Sequence, residues 1–211
     1  MDSSVHPWLA VGTQHLHLGP RPGDGLGSAV AVEFTAVEIR RLLDLLEAEL
    51  DCRGVGASVY VVGGAAIALT LDPDRRTQDV DAAIVPRDPV LDASSAVAAS
   101  EGIPRLWLNT GAVGWIPTAT RAAVDPGSDK RLRIEIASPQ VLLAMKLVAS
   151  RNRDLPDIRL LAESIGITTA EGLADLVREQ YGEDQLEAAH GGYNDMLLWC
   201  GRLVEMFWRP R

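Results

Sequence analysis

The chain has 211 residues, a formal charge of −9 and an apolar fraction of 47%. That length suits one domain of ordinary size with a helical appendage, and the apolar fraction excludes general disorder. The acidic balance argues against a protein that coats nucleic acid. It leaves any acidic substrate to a metal ion and a few placed cations.

Residues 1–32 read as irregular, with Gly19-Pro20-Arg21-Pro22-Gly23-Asp24-Gly25 as loop. A helix follows. Thr35 and Glu38 have capping-box spacing, Ile39, Leu42, Leu43, Leu46 and Leu50 recur at helical intervals, and Cys52-Arg53-Gly54 ends the run. Val59–Val62 is β-branched and aromatic, which predicts a buried strand. Gly63-Gly64 breaks it, Ala65–Leu71 reads as a short helix, and Asp72-Pro73-Asp74-Arg75-Arg76 is a loop leading to a strand over Asp79–Val85. Val80, Ala82 and Ile84 then face the packed side, and Asp79 and Asp81 share the other.

Pro86 to Gly102 reads as loop and helix, Leu106-Trp107-Leu108 as a further short strand, and residues 109–130 as loop, with Trp115-Ile116-Pro117 available for packing. Leu132, Ile134 and Ile136 alternate with Arg131, Arg133 and Glu135, the pattern of a half-buried strand. From Ser138 the chain turns helical: Ser138 is a good cap and Pro139 suits a first helical position. Further starts are signalled at Asp154-Leu155-Pro156, at Thr168 with Glu171, and near Glu183. The last helix carries Met196, Cys200, Leu203 and Phe207 on one stripe, with Trp199 beside it. The expected architecture is α+β: a mixed sheet of four to five strands flanked by helices in residues 1–138, then a helical bundle in 139–211.

Two cysteines, Cys52 and Cys200, give no disulfide framework and suggest a reducing cytoplasm. The start of the chain lacks a basic, apolar leader, and Val59 to Leu71 is too short to span a bilayer. No membrane partner is expected.

Two carboxylates fixed side by side are costly without a cation between them, and hard oxygen ligands suit Mg²⁺. Asp79 and Asp81 therefore form a candidate metal site. The glycine pair allows a sharp turn and close approach of backbone to phosphate. Glu135 is a candidate third carboxylate, as a metal ligand or as a base; its bland reading is an exposed strand face. Lys146 is the one charge in Val141-Leu142-Leu143-Ala144-Met145-Lys146-Leu147-Val148-Ala149, so its ammonium must reach water or meet an anion, a triphosphate being one candidate. Asp157 sits in the first turn of a helix, where an acid is also simply stabilising. Arg153 could reach substrate. His15 and His17 share a face if extended but lack further ligands, and His6 and His190 have no suggestive neighbours. No serine or cysteine triad, P-loop or Cys-x-x-Cys is present.

Gly63-Gly64, Asp79-Val80-Asp81, Ala144-Met145-Lys146-Leu147 and Arg151-Asn152-Arg153-Asp154 through Asp157 together resemble the polymerase-β-type nucleotidyltransferase superfamily. The nearest branch is that of abortive-infection and toxin–antitoxin nucleotidyltransferases. The resemblance spans residues 58–162. It implies a nucleotidyltransferase core in which Asp79 and Asp81, with Glu135 as the third acid, hold Mg²⁺. Gly63, Gly64, Arg76, Thr77 and Lys146 would bind the NTP, and Lys146 and Asp157 match active-site positions. It further implies transfer of a nucleotide to RNA, tRNA above all, or to protein, with growth arrest as the outcome and a cognate antitoxin as partner. DNA is not an expected partner. The chain departs from the wider pattern at Gly64, where serine is usual, in its long Gly64–Asp79 spacing, and in a glutamate as third acid. Two other readings stay open: a small-molecule nucleotidyltransferase with a cationic, aminoglycoside-type acceptor, which the charge suits, and a degenerate member that only binds a nucleotide or protein.

Overall fold

The computed structural model describes residues 32–125 and 131–209. The expectations for residues 1–31, including His6, His15 and His17, lie outside them. Helix α1 (Ala36–Arg53) begins at Thr35, whose hydroxyl accepts from the Glu38 amide while Glu38 returns to the Thr35 amide, and ends on a left-handed Gly54. Its stripe of Ile39, Leu42, Leu43, Leu46 and Leu50 is buried, as the spacing predicts.

Strand β1 (Ala57–Val62) is buried along its whole length. It runs directly into helix α2 (Gly63–Thr70), so the two glycines are the first residues of the helix rather than a break before it. A positive φ of 69° at Gly63 makes the sharp turn possible. Strand β2 (Val80–Val85) starts one residue later than the spacing predicts, leaving Asp79 on its approach. Val80, Ala82 and Ile84 are buried, but so is Ala83, because β2 lies inside the sheet with both faces covered.

Helix α3 (Arg87–Glu101) crosses to β3 (Leu108–Asn109), which pairs with β2 in parallel. The strand predicted at Leu106–Leu108 thus begins two residues later and ends one residue later. Trp107, just before it, is wholly buried, and its indole N–H donates to the Ser94 carbonyl at 3.0 Å. The stretch expected as loop after Asn109 holds a 3₁₀ turn at Val113–Trp115 and a short helix α4 (Thr118–Ala122). Strand β4 (Leu132–Ile136) completes a four-stranded mixed sheet in the order β3-β2-β1-β4. β1 is antiparallel to β2 and parallel to β4.

The alternation in β4 buries only Leu132. Ile134 and Ile136 each keep 37% exposure, because β4 is an edge strand among the described residues and periodicity cannot tell an edge from an interior strand.

Five helices follow Ser138 in the described residues: α5 (Pro139–Ala149), α6 (Leu155–Ser164), α7 (Ala170–Tyr181), α8 (Glu183–His190) and α9 (Tyr193–Phe207). Ser138 caps α5 as predicted, its side chain accepting from the Val141 amide. The cap of α7 is Thr169 rather than Thr168: its side chain accepts from the Gly172 amide. Met196, Cys200 and Leu203 are the buried stripe of α9, with Phe207 and Trp199 half-buried beside it. α5 packs against both α6 and α7, and α7 against α9. No helix among the described residues is long and apolar enough to cross a membrane.

Candidate functional site

A cavity of about 480 Å³ opens where the start of α2, the start of β2, the 3₁₀ turn, α5 and the start of α6 converge. Gly63, Gly64, Arg76, Thr77, Asp79, Asp81, Lys146, Arg153 and Asp157 all line it, so nearly every site residue inferred from sequence is brought to one place.

Asp79 and Asp81 lie together on its floor. The Asp79 Oδ2 accepts from Asn109 Nδ2 at 2.9 Å, and Asn109 Oδ1 accepts from the Gly111 amide at 2.7 Å. Asn109 stands beside Asp81 in the β2–β3 register, so the end of β3 orients the first aspartate. Asp81 accepts from the Ala112 backbone. Its pKa is nonetheless raised, first by burial and then by the neighbouring charge of Asp79. A pair of hard carboxylates, partly desolvated and repelling, fits a divalent ion such as Mg²⁺.

Glu135 is not brought to this pair. It pairs with Tyr60 across the β1–β4 ladder, whereas Asp81 pairs with Val62. It shares the sheet face but sits two strand spacings away, ~10 Å, and ~7 Å further back along the strands. It does not line the cavity, and no cluster of three metal-ligating side chains occurs among the described residues. Alternation placed Glu135 on the correct face; only the register reveals the offset. Its visible effect is on Tyr60, whose pKa is raised by burial and then by Glu135.

The glycine pair packs against the acids and the loop before them. A Cβ on Gly63 would lie 3.3 Å from Asp81 Oδ2, and one on Gly64 would lie 3.0 Å from Thr77 Oγ1. Both contacts leave backbone where a side chain would otherwise intrude. A side chain at Gly64 would therefore meet the Thr77 hydroxyl, which already occupies that corner. Thr77 is fixed by two backbone hydrogen bonds with Phe34, at 2.6 and 3.1 Å, and its Oγ1 donates to the Asp79 carbonyl at 3.1 Å. Among the described residues, no side chain caps the start of α2.

Lys146 does meet an anion, but the anion belongs to the chain. Its Nζ lies 2.7 Å from Asp154 and 2.7 Å from Asp157, with the side chain only 12% exposed. Asp157, 4% exposed, also takes both terminal nitrogens of Arg75, through Nη1 to Oδ1 and through Nη2 to Oδ2 at 2.9 Å. Lys146 and Asp157 thus act first as a brace that holds Arg75. Arg75 was missed as a site residue because it reads as an ordinary loop cation; the Asp72–Arg76 loop and α6 meet only in the fold. Its Nε is buried with no hydrogen-bond partner among the described residues, 3.5 Å from the position of a Gly64 Cβ. Such an orphan N–H beside an uncapped helix start is a ready anion receptor.

Arg76, Arg151 and Arg153 complete the cationic rim. None makes an ion pair with a carboxylate among the described residues, and the charges of Arg151 and Arg153 reach Asp81 and partly offset the rise in its pKa. Trp115 was expected only to pack. Its neighbour Ile116 is indeed buried, but Trp115 itself forms a wall of the cavity with the Arg151 guanidinium 5.0 Å from its ring centre. His190 has a neighbour the sequence does not suggest, Ser150 Oγ at 2.8 Å, outside the cavity lining. The chain matches no family model, no curated protein and no solved structure.

Proposed function

We propose that this chain is a Mg²⁺-dependent nucleotidyltransferase that moves a nucleotide from an NTP to RNA, tRNA above all, as a growth-arresting toxin with a cognate antitoxin. One observation carries the reading of the chemistry: the two aspartates open into the same cavity as the uncapped start of α2, the Thr77 hydroxyl and the orphan Arg75 Nε. A metal site beside an anion receptor is what transfer from a nucleoside triphosphate needs. The acceptor class and the toxin role rest on the resemblance. Arg76, Arg151 and Arg153, none of them ion-paired to a carboxylate among the described residues, give the opening of a chain of −9 charge a local positive character that suits anionic ligands.

Asp79 and Asp81 would hold Mg²⁺, which supplies charge neutralisation at the α-phosphate and at the departing pyrophosphate. Asn109 and the Ala112 amide keep the two carboxylates aimed into the cavity. Arg75 Nε and the amides of α2 receive the phosphates, while Arg76 and Arg153 spread positive charge along the chain of oxygens. Lys146 and Asp157 hold Arg75 in place throughout. The acceptor hydroxyl attacks the α-phosphorus in line, the bond to the bridging oxygen breaks, and the hydroxyl proton leaves to solvent.

The test incubates the purified chain with each α-labelled NTP, Mg²⁺ and total tRNA, with a no-RNA control and the Asp79→Ala variant. Label on RNA that disappears in the variant supports the reading and names the nucleotide. Label on protein alone, or on an aminoglycoside supplied in place of RNA, overturns the RNA acceptor. No Mg²⁺-dependent NTP binding overturns the chemistry and leaves a degenerate binding fold.

A further inference from the structure

We infer that Trp115 is the stacking platform for the nucleobase of the NTP, with Arg151 as the other layer of the stack. The inference rests on the nucleotidyl-transfer reading and adds where the base lies and what holds it. Trp115 keeps 37% of its surface exposed although the Arg151 guanidinium already covers part of one face. A half-open indole in a cavity wall offers a flat face on which an aromatic base can stack.

Two contacts hold the ring's backbone in place. The Tyr181 hydroxyl of α7 donates to the Trp115 carbonyl, and the Trp115 amide donates to the Ala112 carbonyl at 2.9 Å. Ala112 is also the residue whose backbone hydrogen-bonds to Asp81. The platform therefore begins one 3₁₀ turn, ~6 Å, from the residue that holds the metal-binding carboxylate. The lining combines apolar side chains of α5, Leu142, Met145 and Ala149, with the glycines, Arg75 and Thr77. A molecule with phosphates at one end and a flat aromatic group at the other matches this mixed lining.

Arg151 fits the same role. It has no carboxylate partner among the described residues, so its guanidinium plane can stack on a base as it does on the indole. Stacking of this kind reads no hydrogen-bonding edge and favours the larger ring system. The site is thus expected to accept any base and to hold purines more tightly than pyrimidines.

Titration calorimetry on the full chain with Mg²⁺ separates the base from the phosphates, using ATP, CTP and inorganic tripolyphosphate as probes. Trp115→Ala is expected to weaken ATP at least about tenfold and to leave tripolyphosphate within about twofold. Trp115→Phe, which keeps an aromatic face, retains most of the ATP affinity and covers the case in which the alanine variant does not fold. The difference in tryptophan emission between the native chain and Trp115→Phe isolates the signal of this ring. ATP is expected to quench it and tripolyphosphate is not. Equal weakening of ATP and tripolyphosphate, or ATP affinity unchanged in Trp115→Ala while Asp79→Ala still weakens it, overturns the platform and leaves nucleotidyl transfer standing. A native chain that binds neither ATP nor tripolyphosphate overturns both.

Discussion

Replacing Asp157 by alanine removes one carboxylate that serves two cations inside the molecule. Asp157 receives Arg75 through two nitrogens and Lys146 through a third contact, and it is 4% exposed. Removing one member of a buried ion pair costs about 3–5 kcal/mol, because the remaining charge stays desolvated. Two features soften the loss: Lys146 keeps Asp154, and the Arg75 side chain retains 28% exposure. The lower end, about 3 kcal/mol, is the expected cost. For a chain of this size that corresponds to a fall in Tm of about 6–12 °C. Urea unfolding followed by far-ultraviolet circular dichroism, with the slope against urea unchanged, measures it directly. The Arg75→Met, Asp157→Ala double variant should lose less than the two single variants together, by at least about 1 kcal/mol. A loss below about 1 kcal/mol for Asp157→Ala would mean an ordinary surface ion pair and would refute the brace.

Asp81→Asn is expected to raise the Tm of the metal-free chain at neutral pH and to abolish nucleotidyl transfer. Burial, then Asp79, keeps the folded Asp81 pKa above its unfolded value. The folded state therefore binds the extra proton, and stability falls as pH rises from the unfolded pKa through the folded one. A lower Tm for the variant would contradict that sign. For the same reason, Mg²⁺ affinity should weaken as pH falls into the range where Asp81 protonates, a trend that calorimetry at several pH values detects. Gly64→Ala places a methyl 3.0 Å from Thr77 Oγ1 and should weaken ATP binding about tenfold; unchanged affinity would show that the corner holds no phosphate. Glu135→Gln should leave nucleotidyl transfer within about twofold of the native rate, since its side chain does not line the cavity. A loss of an order of magnitude would return it to the site.

The parts of the site that share a strand end could be read from the chain. Gly63, Gly64, Asp79 and Asp81 are close in sequence, and their period and turn chemistry place them on neighbouring strand and helix ends. Lys146 could be flagged, because a lone charge in an apolar helix needs a partner, but the partner could not be named. Asp154 and Asp157 lie 8 and 11 residues on, beyond helical neighbour spacing, and they reach Lys146 only because the chain folds back after Ser150. Arg75 and Trp115 were passed over for the same reason: a loop cation and a loop aromatic carry no period. Asn109 left one signal, a lone polar residue closing the apolar run Leu106-Trp107-Leu108 beside an acidic strand. The offset of Glu135 depends on the pairing of β4 with β1, which no local pattern encodes.

The Ala112 peptide unit joins two parts of the cavity that would otherwise evolve apart. One side of the residue engages Asp81 and the other supports the turn carrying Trp115. A substitution between Gly111 and Trp115 that altered the aromatic wall would also disturb the acid on β2. Lineages drifting at this turn would find few neutral steps, and laboratory selection for a new ligand would be more productive on α5 than here.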